Sequence, residues 1–223
     1  MRRFLTTAVP ALGEFLTLDD ATSHHMLRVT GIAPGERVEI FDGQGGGAVA
    51  DLIEVRDGLA VLRVLEVRHA PNPSDCVHLV LAQTRANVLD TTLRMVTELG
   101  VASIQVAVTE RCVAKGDKRD RWQRIVESAS AQSGRLVVPK LLDPAGINEV
   151  LESREGRRII LSPGAPVGRA SDGAVHLFVG PEGGFTEAET AAAIAAGWSP
   201  AGLGQTVLRA DTAALAAVVR YGP

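Results

Sequence analysis

The chain has 223 residues, a formal net charge of −3, and 46% hydrophobic and 22% charged side chains. Such a chain buries a sizeable core, so disorder is excluded, and it is too acidic to coat nucleic acid generally, although a local basic face stays open. Its length fits one large domain or two small ones, and no window approaches the roughly 20 apolar residues of a membrane span.

The opening "MRRFLTTAVPALGEF" carries basic side chains without the continuous apolar core of a secretory leader. A cytoplasmic protein without membrane association is expected, and Cys76 and Cys112, which show no paired spacing, are expected to be reduced thiols. Up to residue 70 the pattern predicts strands. "ERVEIFDG" alternates and ends in Asp-Gly, "QGGG" follows, and "AVADLIEV" completes a hairpin with a glycine-laden turn. "GLAVLRVLEV" predicts a third strand, and Asp20 in "DDATSHHMLRV" is the expected N-cap of a short helix. Pro71 and Pro73 then punctuate the chain, dividing it into domains at 1–72 and 73–223.

Beyond the prolines strands and helices alternate. "CVHLVLAQ" predicts a strand, and "NVLDTTLRMVTELG" an amphipathic helix with Leu89, Leu93, Val96 and Leu99 near one face and Gly100 as its stop. "SIQVAV" is a strand, and "KRDRWQRIVESASAQSG" a helix with Trp122, Ile125, Val126 and Ala129 inward and Gly134 ending it. Apolar segments at 158–161 and 175–179 predict further strands, and the last helix starts near Asp211 as its N-cap. Alternation of this kind predicts an α/β fold with a mostly parallel sheet.

In open α/β sheets ligands bind at loops leaving the C-terminal ends of strands. Three such loops have unusual composition: "LSPGAP", "VGPEGGFTEAE" and "GLGQTVLRADT". The second contains neither the lysine of a Walker A loop nor the Gly-x-Gly-x-x-Gly spacing of a dinucleotide fold, and Glu182 within it opposes a phosphate. Thr186 and Glu189 have the spacing of a capping box, with Glu187 favouring the dipole of the next helix. Glu182 precedes two glycines and cannot cap. It is either an exposed loop carboxylate or a partner for a cationic or hydroxyl-bearing ligand. Gly180, Gly183 and Gly184 permit close backbone approach or φ > 0, or form an ordinary tight turn. Arg209 is placed to hold a phosphate or an anionic base, or to pair with Asp211 or Glu182.

"FVGPEGGFTEAE" followed by "LGQTVLRADTAALAAV" resembles the C-terminal signature of the SPOUT methyltransferases, and within them the bacterial enzymes that methylate N3 of a uridine in 16S ribosomal RNA. The resemblance extends through "TELGV", "ERCV" and "RWQRIVESASAQSGR", and "HHMLRV" with "GERVEIFDG" is similar to that family's PUA-like RNA-binding domain. It implies an α/β SPOUT-type trefoil-knotted parallel sheet with helices on both faces, plus a small N-terminal PUA-like β-barrel. It implies S-adenosylmethionine (SAM) as cofactor, a homodimer, and 16S rRNA of the small ribosomal subunit or its precursor as partner. SAM would lie among Leu161, Ser162, Gly180, Glu182, Gly183, Leu203, Gly204, Val207 and Leu208, with Arg209 as the candidate catalytic residue that orients or stabilises the target base. Three positions depart from the family pattern: Met95 stands where a lysine is usual, "ANVL" replaces a Gly-Asp-Lys-Met-like run, and Ala210-Asp211 replaces Thr-Glu.

Residues 111–140 concentrate Arg111, Lys115, Lys118, Arg119, Arg121, Arg124, Arg135 and Lys140 against three acids. The segment is either a solvated helix face or an RNA contact. Arg111, Arg124 and Arg135 here, with Arg3 and Arg28 in the first domain, are the expected RNA-binding residues. The five histidines have no metal-ligand spacing, so no metal is expected. Ribose 2′-O methylation by a SPOUT enzyme, or a non-catalytic RNA-binding assembly factor, are the alternative readings.

Overall fold

The computed structural model describes residues 1–70, 76–113, 116–152, 155–168 and 173–222; the expected boundary at 72/73 and Lys115 lie outside them. Two compact units result, Met1–Asn72 with Ser130–Val138, and Pro73–Ala129 with Pro139–Pro223. The first unit thus also takes in Ser130–Val138, from much farther along the chain.

In the first unit, β1 (Arg3–Leu5), β2 (Phe15–Thr17), β3 (Arg37–Phe41), β4 (Gly46–Arg56) and β5 (Leu59–His69) form one sheet in the order β1-β3-β4-β5-β2. The expected hairpin is β3–β4, and its turn is closed by Asp42, whose Oδ1 accepts the N–H groups of Gln44 at 2.7 Å and Gly46 at 2.9 Å. Strand alternation drives Val38, Ile40, Ala50, Leu52, Leu62 and Val64 into a core with Phe4 and Met26. The same turn receives the 130–138 segment. Val138 N–H donates to Gly43 O at 2.9 Å, Gly45 N–H donates to Leu136 O at 3.1 Å, and Gly47 leaves Leu136 the space a Cβ would take.

The short helix α1 (Asp20–His24) continues into a π-helical turn, His25–Val29. Its N-cap is Asp19 rather than Asp20. Asp19 has extended backbone and accepts Thr22 N–H at 2.8 Å, whereas Asp20 already lies in the first turn.

The second unit contains β6 (Val77–Ala82), α2 (Ala86–Glu98), β7 (Ser103–Val108), α3 (Arg119–Ser133, whose last turn enters the first unit), β8 (Lys140–Gly146), α4 (Ile147–Val150), β9 (Arg157–Leu161), β10 (Val175–Val179), α5 (Glu187–Ala195), β11 (Ser199–Ala201) and α6 (Ala210–Tyr221). Its six strands are all parallel, in the order β11-β9-β10-β6-β7-β8. Period-two alternation splits each central strand between two cores. Leu79, Leu81, Ile159, Leu161, Leu177 and Val179 pack with residues of α2, α3 and α6; Val80, Ile160 and Phe178 pack with residues of α4 and α5. Helices thus cover both faces.

Two strands lack a sequence signal for a physical reason. β8 ("KLLDPAG") and β11 ("SPA") are edge strands, where proline is tolerated and alternation is weak. Helix α2 buries Leu89, Leu93 and Val96 as expected, but Leu99 is its C-cap and is exposed. Gly100 follows at φ +97, with Gly100 N–H donating to Thr97 O and Val101 N–H to Val96 O, a Schellman closure.

Candidate functional site

β11, β9 and β10 are neighbours, so the loops leaving their C-terminal ends meet. They enclose a cavity of about 540 Å³, within the range of small-molecule sites. Leu161 and Ser162 reach it from the β9 loop, Gly180, Glu182 and Gly183 from the β10 loop, and Leu203, Gly204, Val207, Leu208 and Arg209 from the β11 loop. All nine cofactor candidates and Arg209 therefore line one space.

The β10 loop is a tight turn in which Gly184 N–H donates to Pro181 O at 2.9 Å, with Gly184 at φ +67, a conformation that favours glycine. Thr186 ends it as the N-cap of α5. Thr186 N–H donates to Glu189 Oε2 at 2.8 Å and Glu189 N–H to Thr186 Oγ1 at 3.1 Å, a complete capping box. Glu189 is buried, and its other oxygen accepts Glu110 N–H at 2.8 Å, which fastens α5 to the loop after β7. Glu182 is exposed on the cavity wall.

The β9 and β11 loops touch through backbone. Gly202 N–H donates to Pro166 O at 3.0 Å, and a Cβ on Gly202 would stand 2.1 Å from Ala165 O. Tyr221, fully buried at the end of α6, closes the same junction: its hydroxyl donates to Gly202 O at 2.5 Å and accepts Gly168 N–H at 3.1 Å. The C-terminal helix thereby sets the distance between two walls of the cavity.

Arg209 is the N-cap of α6, with extended backbone and no side-chain cap; Asp211, the expected cap, is the second helical residue and its Oδ1 accepts Thr212 N–H at 2.8 Å. The Arg209 side chain is 78% exposed and its Nε lies 3.7 Å from Asp211 Oδ1. An ion pair this long and exposed costs little to break, so the guanidinium is available at the cavity mouth.

The five expected RNA arginines separate. Arg28 and Arg124 are exposed, and Arg124 Nε donates to Asp120 O within α3. Arg111 lines the cavity and its Nη1 donates to Gly183 O at 2.9 Å and Phe185 O at 3.4 Å. Arg3 is enclosed: its side chain is only 10% exposed, its guanidinium donates to the carbonyls of Ser130, Ala131 and Arg135, and it pairs with Glu39. Burial, chiefly, holds its pKa below the usual arginine value. It caps the last turn of α3 from within the first unit and has no face for a phosphate. Arg135 is half-buried, and burial lowers its pKa too.

Sequence reasoning passed over Val88, Thr190, Thr206 and Ala213, which also line the cavity, and Tyr221, which braces it. A tyrosine at a helix end carries no local signal of a bond to a loop 19 residues away. Among the described residues, no group of three or more His, Cys, Asp or Glu could hold a metal ion, and no helix is long and apolar enough to cross a membrane.

Residues 70–221 match the profile of the RNA methyltransferase domain. The chain belongs to this RNA methyltransferase family. A relative from Synechocystis, "Ribosomal RNA small subunit methyltransferase E", is 34% identical over 92% of this chain and 72% of its own length. Its namesake from Mycobacterium bovis is 29% identical over 98% of this chain and 90% of that one. A family structure from Neisseria gonorrhoeae, a ribosomal RNA small subunit methyltransferase E bound to S-adenosyl methionine, superposes with a TM-score of 0.91 at 35% identity over 98% of this chain and 95% of its own. A putative methyltransferase from Legionella pneumophila in complex with SAM gives a TM-score of 0.88 at 28% identity, over 97% and 95%.

Proposed function

We propose that this RNA methyltransferase transfers a methyl group from SAM to N3 of a uridine in 16S ribosomal RNA, within the small subunit or its precursor, in the cytoplasm. The observation that carries the reading is the convergence of Leu161, Ser162, Gly180, Glu182, Gly183, Leu203, Gly204, Val207, Leu208 and Arg209 on one cavity. The chemistry of that cavity suits SAM. Leu161, Leu203 and Leu208 offer apolar walls to an adenine, the glycine turn allows the backbone close, and Glu182 faces a cationic ligand without opposing any phosphate. The bound cofactor supplies a methyl group activated on a sulfonium.

The residues of the chain do the rest. The three loops hold donor and acceptor in line, and such positioning accounts for much of the rate of a displacement. Uracil N3 carries a proton at neutral pH, and negative charge develops across N3, C4 and O4 as that proton passes to solvent water. Arg209, exposed at the mouth and only loosely paired, stabilises that charge and orients the base. The target nucleotide enters unstacked. The reading includes a trefoil knot, a PUA-like role in RNA binding for the first unit, and a homodimer; Arg28 and Arg124 remain its exposed candidate phosphate contacts.

The test is incubation with undermethylated small subunits and labelled SAM, followed by nucleoside mass analysis. Label in 3-methyluridine is expected. Label in a 2′-O-methylated nucleoside would move the activity to ribose chemistry, and no label beside an active control enzyme would overturn the reading.

A further inference from the structure

The loop after β7 holds the C-terminal side of the glycine turn through consecutive residues. Where the turn passes into α5, Glu110 N–H donates to the buried Glu189 carboxylate, which is already the cap partner of Thr186. Within the turn, Arg111 Nη1 donates to the carbonyl oxygens of Gly183 and Phe185. The Arg111 stem also packs on the turn: a Cβ on Gly183 would lie 3.2 Å from Arg111 Cβ and 3.4 Å from its Cδ. The contact requires glycine there unless the arginine moves.

From this geometry we infer that Arg111 is a positioning residue for the cofactor turn, and not an RNA phosphate contact. A cation pointing its donors at two carbonyls of a turn fixes the orientation of the peptides between them. In 183–185 those peptides form the wall of the cavity beside Glu182. Both bonds leave one nitrogen, Nη1, so the task asks for a cationic donor at one point, which a lysine ammonium can supply in large part. The inference rests on the cavity being the SAM site, as proposed above.

Two variants test it. Arg111→Met keeps the stem and removes the donors; Arg111→Lys keeps the charge and one donor centre. Calorimetric titration with SAM should show the dissociation constant raised about tenfold in Arg111→Met and largely recovered in Arg111→Lys, as expected for losing a charge-assisted bond. Affinity for a 16S rRNA fragment and its salt dependence should not change. Amide hydrogen exchange over 183–185, measured without cofactor, should be faster in Arg111→Met. An unchanged SAM affinity together with weaker RNA binding and a shallower salt slope would overturn the assignment in favour of a phosphate contact. A wild-type protein that bound no SAM would sink the proposed function instead, and the exchange rates at 183–185 would still decide the role of Arg111.

Discussion

Glu189 and Glu110, 79 residues apart, are joined by a hydrogen bond of 2.8 Å from the Glu110 N–H to the carboxylate that completes the capping box of α5. Each oxygen of Glu189 thus accepts a backbone N–H, one local and one distant. Glu189→Gln replaces one acceptor by an NH₂ group and strands a part-buried donor. Stability should fall by about 2 kcal/mol, the typical penalty for leaving such a group unsatisfied, read from urea denaturation. An exposed capping residue would lose far less.

Gly202 tests how closely the β9 and β11 loops must approach. In Gly202→Ala the new Cβ would stand 2.1 Å from Ala165 O, which is backbone and cannot swing away. SAM binding should be lost or strongly weakened, with a melting temperature lowered in line with the roughly 1–3 kcal/mol of an overpacked site. At Gly204, by contrast, an added Cβ meets nothing within 4 Å, so Gly204→Ala carries only the strain of φ +145 and should be the milder of the two.

Arg209→Ala should separate chemistry from cofactor binding. The side chain is 78% exposed and its pairing with Asp211 spans 3.7 Å, so the fold should not depend on it. Single-turnover methylation is expected to drop about 100-fold, the scale for removing one group that stabilises developing charge, while the SAM dissociation constant stays put. A loss of SAM affinity without a loss of rate would reassign the residue to the cofactor.

Asp19 gives the first unit a pH dependence of known sign. Its N-cap bond from Thr22 N–H holds its carboxyl below the usual carboxylate range. The stability from this cap is therefore present above the unfolded pKa and lost as pH falls through the lower folded value. At neutral pH Asp19→Ala should cost about 1 kcal/mol, the usual worth of an N-cap, and the difference from wild type should shrink in acid, where the protonated carboxyl is only a neutral acceptor. A difference that did not shrink at low pH would mean that the carboxylate charge adds nothing to the cap.

What was legible in the sequence was local or periodic. Thr186 and Glu189 are three residues apart, so their capping box could be read directly. Leu79, Val80 and Leu81 belong to one short apolar run, so their strand could be too, although only the fold sends Val80 to the opposite core. The three glycine-bearing loops were legible as candidates because strand–loop–helix order places them at one end of a parallel sheet. What was hidden depends on distant partners. Nothing around Arg3 announces that its donors end on carbonyls 127 to 132 residues away, or that Arg111 would spend its donors on Gly183 and Phe185. Charge in a sequence shows that a partner is needed, and only the fold decides whether that partner is a phosphate or the protein's own backbone.

The return of Ser130–Val138 to the first unit has a consequence for synthesis. The hairpin turn at 42–46 waits for Leu136 and Val138, nearly a hundred residues downstream, and Arg3 waits for the end of α3. A nascent chain ordinarily folds its N-terminal domain first. Here the first unit cannot finish until residue 138 has left the ribosome, by which time most of the parallel sheet's first half is already in the growing chain. A fragment stopped at residue 72 would be born without its own last piece.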